Sequence, residues 1–295
     1  MARLNQHVKA LVPNAVRRAL SHLLRPIGAP RRLKSLLAFD GLFSLRLDGR
    51  LVHFEYANRW IERDLFWRGW KGYEPVSLDI WRRCAKGART IVDIGANTGL
   101  FAIVAKTVNR KAVVLAFEPL PMFADVLKRN AAHNGLDVRL VRAAVSSTEG
   151  RAEFFVPEEF AGNIYSSSLS REHYDRHQQS AARVFDVQVL SFDAYAANHD
   201  IRHVDLVKID AEGHDVMVLQ GMAGILARDT PDCLIEIQSD EEGEKMMPFF
   251  DPARYAYYNL SETAGPQRAE RLGRSETVNF FVCKHETAKA LGLDK

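Results

Sequence analysis

Three short segments hold the residue types and spacings that could do chemistry. The first runs Thr90-Ile-Val-Asp93-Ile-Gly95-Ala96-Asn97-Thr98-Gly99-Leu100. A β-branched run ends near an acid, a glycine-rich turn follows, and an apolar helix begins. Glycines 95 and 99 allow a tight turn and a close backbone approach to a ligand. The pattern is D-x-G-x-x-x-G, with Asn97 where a dinucleotide-binding turn carries its second glycine. An acid here repels a pyrophosphate but can pair with an ammonium group, directly or through water. S-adenosylmethionine carries an ammonium, a sulfonium and no phosphate. The second segment, Val113 to Pro119, is an apolar run ending in Glu118. A carboxylate at such a strand end can accept both hydroxyls of an adenosine ribose. The third, Lys208-Ile-Asp210-Ala-Glu212-Gly-His214-Asp215, packs three carboxylates, a lysine and a histidine into one strand end and its turn. Period two puts Lys208 and Asp210 on one strand face, and a buried lysine there needs Asp210 or Glu236 as its partner.

These segments require alternating strands and helices. Thr90–Ile94, Ala112–Phe117, Val138–Val145, Val204–Asp210 and Cys233–Ile237 read as buried strands. Helices are expected at Leu100–Val108, Met122–Asn134 and Asp215–Ala227. Tyr255–Leu260 and Thr277–Cys283 read as a closing strand pair. The alternation implies a parallel sheet covered on both faces, with ligands at its carboxyl edge. Between the third and fourth strands, Arg151–Val156 and Arg183–Leu190 look strand-like around a serine-containing tract. Upstream, Phe43–Leu47 and Leu51–Tyr56 flank Asp48-Gly49 as a hairpin. An aromatic helix over 58–70 follows, and a further helix over Val76–Cys84. Trp60, Phe66, Trp67 and Trp70 suit either a sugar-stacking pocket or a small core beneath the hairpin.

Of 295 residues, 47% are hydrophobic and 26% charged, enough apolar material for a full core. No apolar run reaches the roughly 18 residues of a membrane span. Three scattered cysteines, Cys84, Cys233 and Cys283, argue against a disulfide framework or a zinc site and fit a reducing cytoplasm. Net charge is +3, but residues 1–40 hold eight Lys and Arg against Asp40 alone, or +7, leaving −4 for the rest. An acidic body is not expected of a nucleic-acid binder. Residues 4–24 read as a basic amphipathic helix broken at Pro13. Residues 1–35 are a candidate for peripheral contact with the inner membrane face, the alternative being a helix packed on the body.

The chain resembles the FkbM family of S-adenosylmethionine-dependent methyltransferases. The resemblance is carried by D-I-G-A-N-T-G from Asp93 and A-F-E-P at Ala116–Pro119. Asn130 with Asn134, A-A-V-S at Ala143–Ser146, and Ser167-Ser168-Leu169 also match. So do V-L-S-F-D at Val189–Asp193, K-I-D-A-E-G-H-D at Lys208–Asp215 and L-I-E-I at Leu234–Ile237. It covers residues 70–240 or so. It implies a class I Rossmann-like α/β fold: a mostly parallel seven-stranded sheet with helices on both faces, here with an N-terminal helical and hairpin extension. The expected segments are 1–40 (basic helix and linker), 41–85 (hairpin and aromatic helices) and 86–295 (cofactor-binding domain). The resemblance implies S-adenosyl-L-methionine contacts on Asp93, Gly95, Ala96, Asn97, Gly99, Glu118, Pro119, Ala144 and Asp210. It implies an O-methyltransferase acting on a hydroxyl of a sugar, glycolipid or polyketide-type acceptor. Such a hydroxyl needs a base, and His214, Asp210 and Glu212 are the candidates, with His214 favoured. A divalent metal on Asp210 and Glu236 is the alternative. A nicotinamide oxidoreductase and a non-catalytic scaffold are the rival functions. The turn after Asp210 is not the (N/D)-P-P-(Y/F) of base N-methylation, and no proline–cysteine nucleophile of cytosine C5 methylation follows that strand.

Overall fold

The computed structural model describes residues 12–27, 30–56, 60–157, 168–169, 171, 174–175 and 181–293. Serines 166 and 167, and residues 1–11, which include the start of the expected N-terminal helix, lie outside them. The chain divides into two compact units, with the boundary after Pro75.

In the first unit, α1 (Asn14–Leu24) starts directly after Pro13. Proline lacks the N–H that a helix interior needs and suits a helix entrance. α2 spans Arg31–Leu36, within the 1–40 segment read as basic helix and linker. β1 (Gly41–Leu47) and β2 (Arg50–Tyr56) pair antiparallel across Asp48-Gly49, both residues at positive φ. α3 (Trp60–Arg68) follows. Phe66 and Trp67 belong to the core alternative: Phe66 is fully buried, edge-on to Phe43, Phe39 and Tyr56, and Trp67 is buried beside it, while Trp60 and Trp70 are half-buried. Trp70 donates from Nε1 to the Arg46 carbonyl at 2.7 Å.

The second unit opens with α4 (Pro75–Ala85). It continues β3 (Thr90–Ile94), α5 (Leu100–Val108), β4 (Val113–Phe117), α6 (Pro121–His133) and β5 (Arg139–Val141). Then come β6 (Ala144–Val145), β7 (Gly150–Pro157), β8 (Ala182–Leu190) and α7 (Phe192–Asn198). The remainder is β9 (Leu206–Ile209), α8 (Asp215–Gly221), α9 (Ala223–Asp229), β10 (Asp232–Glu236), α10 (Asp240–Met246), β11 (Tyr255–Ser261), β12 (Gly265–Ala269), β13 (Asn279–Lys284) and α11 (His285–Leu291). The main sheet has the order β12-β11-β13-β10-β9-β3-β4-β5. β10, β9, β3, β4 and β5 are parallel, and β13 is antiparallel to β10. This is the class I Rossmann-like arrangement, with eight strands instead of seven because β12 extends the edge beyond β11. The closing pair is thus a trio. Its core joins Val92, Leu115, Val207 and Ile235 from the central strands with Val218, Leu219 and Met222.

Two further expectations change. The continuous strand over 138–145 is two short strands in different sheets: β5 pairs with β4, whereas β6 pairs with β8 beside β7. The run of small and apolar residues hid the change of partner at Arg142-Ala143. The helix over 215–227 is two helices that meet at Met222. Gly221 lies where a Cβ would come within 1.9 Å of the Ser146 carbonyl oxygen. The pair β7 and β8 forms as read from its alternation, in register from Gly150 with Val189 to Pro157 with Ala182.

Candidate active site

The carboxyl ends of β10, β9, β3 and β4, neighbours in that order, carry Glu236, Asp210, Asp93 and Glu118. Parallel register places Ile209 beside Ile235, so the next residues, Asp210 and Glu236, stand side by side. It also places Asp93 beside Lys208. Lys208 Nζ donates to Asp210 Oδ2 at 2.7 Å and lies 4.7 Å from the centre of the Phe101 ring. One buried ammonium therefore serves a row of acids. Burial opposes ionisation of Asp210, but Lys208 holds its carboxyl below the usual range. Burial, then the charge of Asp210, pushes Glu236 well above that range, and the two carboxyls hydrogen-bond to each other. The two act as one pair holding a proton.

Asp93 is buried, and Oδ2 accepts the Ala102 amide at 2.9 Å, which fastens the first turn of α5. Burial lifts its carboxyl to about 6 against the pull of Lys208. Its Oδ1 is buried with no hydrogen-bond partner among the described residues. Glu118 is equally buried and latches the turn: Oε2 accepts the Asn97 amide and Oε1 the Leu120 amide, each at 2.9 Å. Burial pushes its carboxyl up to about 7 despite those bonds. Asn97 sits at φ 49°, so the bond to Glu118 holds a left-handed residue in place.

The glycines answer to the protein itself. A Cβ on Gly95 would lie 1.8 Å from the Asp210 carbonyl oxygen, and one on Gly99 would lie 2.6 Å from the Leu127 side chain. Both have positive φ. Buried Asn130 donates to the Thr98 carbonyl at 3.0 Å and so holds the turn from its other side. Ala96 is buried within the turn, and Pro119 is half-buried just beyond Glu118. Ala144 is buried in β6 against Val189.

The turn after β9 is organised by Asp215, which accepts the Ala211 and Gly213 amides at 2.9 and 3.1 Å. Burial, with Glu242 nearby, lifts its carboxyl to about 7. Glu212 has φ 50°, and its carbonyl accepts the Ser168 hydroxyl at 2.7 Å. His214 is half-buried at the start of α8, with Nε2 2.9 Å from Ser146 Oγ. Burial drops its imidazole to about 4, so it is neutral at pH 7. Nothing in the sequence ties Ser146 to His214, 68 positions on, beyond its place in A-A-V-S.

Asp210 and Glu236 do come together, but they do not suit a divalent cation. Lys208 already occupies Asp210, and among the described residues no third His, Cys, Asp or Glu completes a ligand set. The donor set does suit S-adenosylmethionine. Asp93 offers an orphaned buried acceptor for a cationic group, and each Glu118 oxygen keeps acceptor capacity for a ribose hydroxyl. A row of four acids against one lysine disfavours a pyrophosphate.

The model of the methyltransferase FkbM domain matches residues 93–259. The methyltransferase sdnD of Sordaria araneosa is 31% identical over 156 residues, covering 45% of this chain and 60% of its own length. The hexuronic acid methyltransferase AglP of Haloferax volcanii is 31% identical over 134 residues, 45% of this chain and 50% of its own. The chain thus spans about half the length of these curated relatives. Among solved structures, the methyltransferase FkbM from Methylobacillus flagellatus KT aligns at 12% identity with a TM-score of 0.40, over 90% of this chain and 59% of that one. A family match that begins at the acid of the glycine-rich turn and runs past β10 covers every candidate site residue, and the chain belongs to the FkbM methyltransferase family, whose cofactor is S-adenosylmethionine.

Proposed function

We propose that the chain is an S-adenosylmethionine-dependent O-methyltransferase whose acceptor is a sugar hydroxyl, free or in a glycolipid or polyketide glycoside. The row Glu236–Asp210–Asp93–Glu118 around Lys208 carries the reading, because it favours a cation and a diol over a phosphate. The named hexuronic acid activity of AglP supports a sugar acceptor. Glu118 would hold the ribose, and Asp93 with the Asp210–Lys208 pair would hold the methionine end. The bound cofactor supplies an electrophilic methyl group.

The residues of the chain then orient the acceptor oxygen and take its proton. His214 is the base in this reading. When Nε2–H donates to Ser146 Oγ, the lone pair of Nδ1 is left to accept the hydroxyl proton. Low basicity is tolerable, because the hydroxyl becomes strongly acidic only as its oxygen forms the new bond to carbon. Asp215 and Ser168 keep the 211–214 turn in place through backbone contacts. Incubation with methyl-labelled cofactor and a panel of uronic acids, neutral sugars and glycolipids, read by mass spectrometry, tests the proposal. A labelled methyl ether on a sugar is expected. Label found only on nitrogen would refute the O-directed reading, and label found only on a carboxylate, as a methyl ester, would refute the hydroxyl acceptor.

A further inference from the structure

α1 is amphipathic the wrong way round for a helix that simply packs on its own unit. Its polar side faces inward. Arg17, 4% exposed, donates from Nη1 to the Ala38 carbonyl, and Ser21, 1% exposed, donates to the Leu37 carbonyl at 2.7 Å. Asn14 binds both backbone groups of Asp40, donating to its carbonyl and accepting from its amide. These anchors make the orientation specific, because turning the helix over would leave them without partners. The apolar side faces out. At ~100° per residue, Val16, Leu20 and Leu23 fall within about 60° of one another, and the middle of that stripe lies about 110° around the helix from the middle of Arg17 and Ser21. Ile27 follows in the next turn. All four are exposed, Leu23 at 72% and Ile27 at 80%, and they make up most of the large exposed apolar side chains among the described residues.

The charge around this stripe is one-sided. Residues 1–39 contain eight Lys and Arg and no Asp or Glu. Arg18 and Arg32 are exposed and Arg25 is half-buried. An apolar strip within a purely cationic segment is what an anionic lipid surface recognises. The side chains enter the acyl boundary, and the arginines meet phosphate headgroups. A second copy of the chain fits less well, since a two-fold contact would set these arginines against themselves. No helix among the described residues is long and apolar enough to span a bilayer.

We propose that the Val16–Leu20–Leu23–Ile27 face is a docking surface for an anionic lipid bilayer. The test is sedimentation of the full chain with vesicles of phosphatidylcholine alone and of phosphatidylcholine mixed with phosphatidylglycerol. Binding is expected to the mixed vesicles, weakening with salt. Leu23→Asp should lower it at least tenfold, as burial of one leucine contributes that much, while circular dichroism and cofactor binding stay unchanged. Leu23→Trp keeps the face apolar, and its emission should shift to the blue only with the mixed vesicles. Absence of sedimentation, equal binding by Leu23→Asp, or no shift in Leu23→Trp overturns the proposal. So does a dimer in light scattering that Leu23→Asp dissociates, which would make the face a homodimer interface.

Discussion

Replacing Glu118 with glutamine separates the task this carboxylate performs in the structure, latching the glycine-rich turn, from the one proposed for it, receiving the ribose. In the folded chain its carboxyl lies at about 7, against 4.5 in the ordinary state, because burial opposes the charge. The native state therefore holds this proton more tightly than the unfolded chain. The resulting stability is complete below about pH 4.5 and is lost as pH rises through about 7. At ~1.4 kcal/mol per pH unit the loss is roughly 3 kcal/mol. Ribose hydroxyls donate best to the ionised form, so cofactor binding should expel the proton: about half a proton per site at pH 7, approaching one at about pH 6 and none at about pH 8.5. In Glu118→Gln one oxygen is replaced by an amide NH2, which cannot accept. Either the Asn97 or the Leu120 amide then loses its acceptor, at a cost of about 1–3 kcal/mol. The variant should be less stable than wild type at about pH 5, and the deficit should shrink or reverse by about pH 8. Its cofactor affinity should drop about 10- to 100-fold. Calorimetry in buffers of different ionisation enthalpy measures the proton release directly. Wild-type affinity in Glu118→Gln, or the same proton release in both proteins, would refute the ribose assignment.

Lys208→Met removes the ammonium shared by Asp210 and Asp93, and urea melts should show a loss of about 3–5 kcal/mol above pH 7. The loss should be smaller near pH 4, where the carboxyls are protonated. His214→Ala should cut kcat about 10²–10⁴-fold with cofactor affinity unchanged, and Ser146→Ala should cut it several-fold. If a chelator stops turnover while His214→Ala remains active, the base is assigned wrongly. Gly95→Ala puts a Cβ 1.8 Å from the Asp210 carbonyl oxygen at φ 73° and should abolish cofactor binding and lower Tm. Gly87→Ala, with no atom within 4 Å of the added Cβ, should leave both unchanged.

What the amino-acid order determined by itself is mostly local. The bounds of Thr90–Ile94 and Leu100–Val108 follow from a β-branched run, two glycines and an apolar helix, so the structure returns them residue for residue. The Asp48-Gly49 turn is equally local. The Lys208–Asp210 pair was legible because period two is a property of one strand. Other features depended on which strand lies beside which. The register of β9 with β10 makes Asp210 and Glu236 one proton-sharing pair, and no local pattern reports register across 26 residues. The strand over 138–145 had the right composition but two partners, so only pairing could divide it. Gly95 reads as room for a ligand in sequence and as room for the Asp210 carbonyl in space. For α1 the helical period announced two faces but not which one the fold would bury. That was decided by carbonyls at Leu37, Ala38 and Asp40, which gave the polar face partners inside and left the apolar face to solvent.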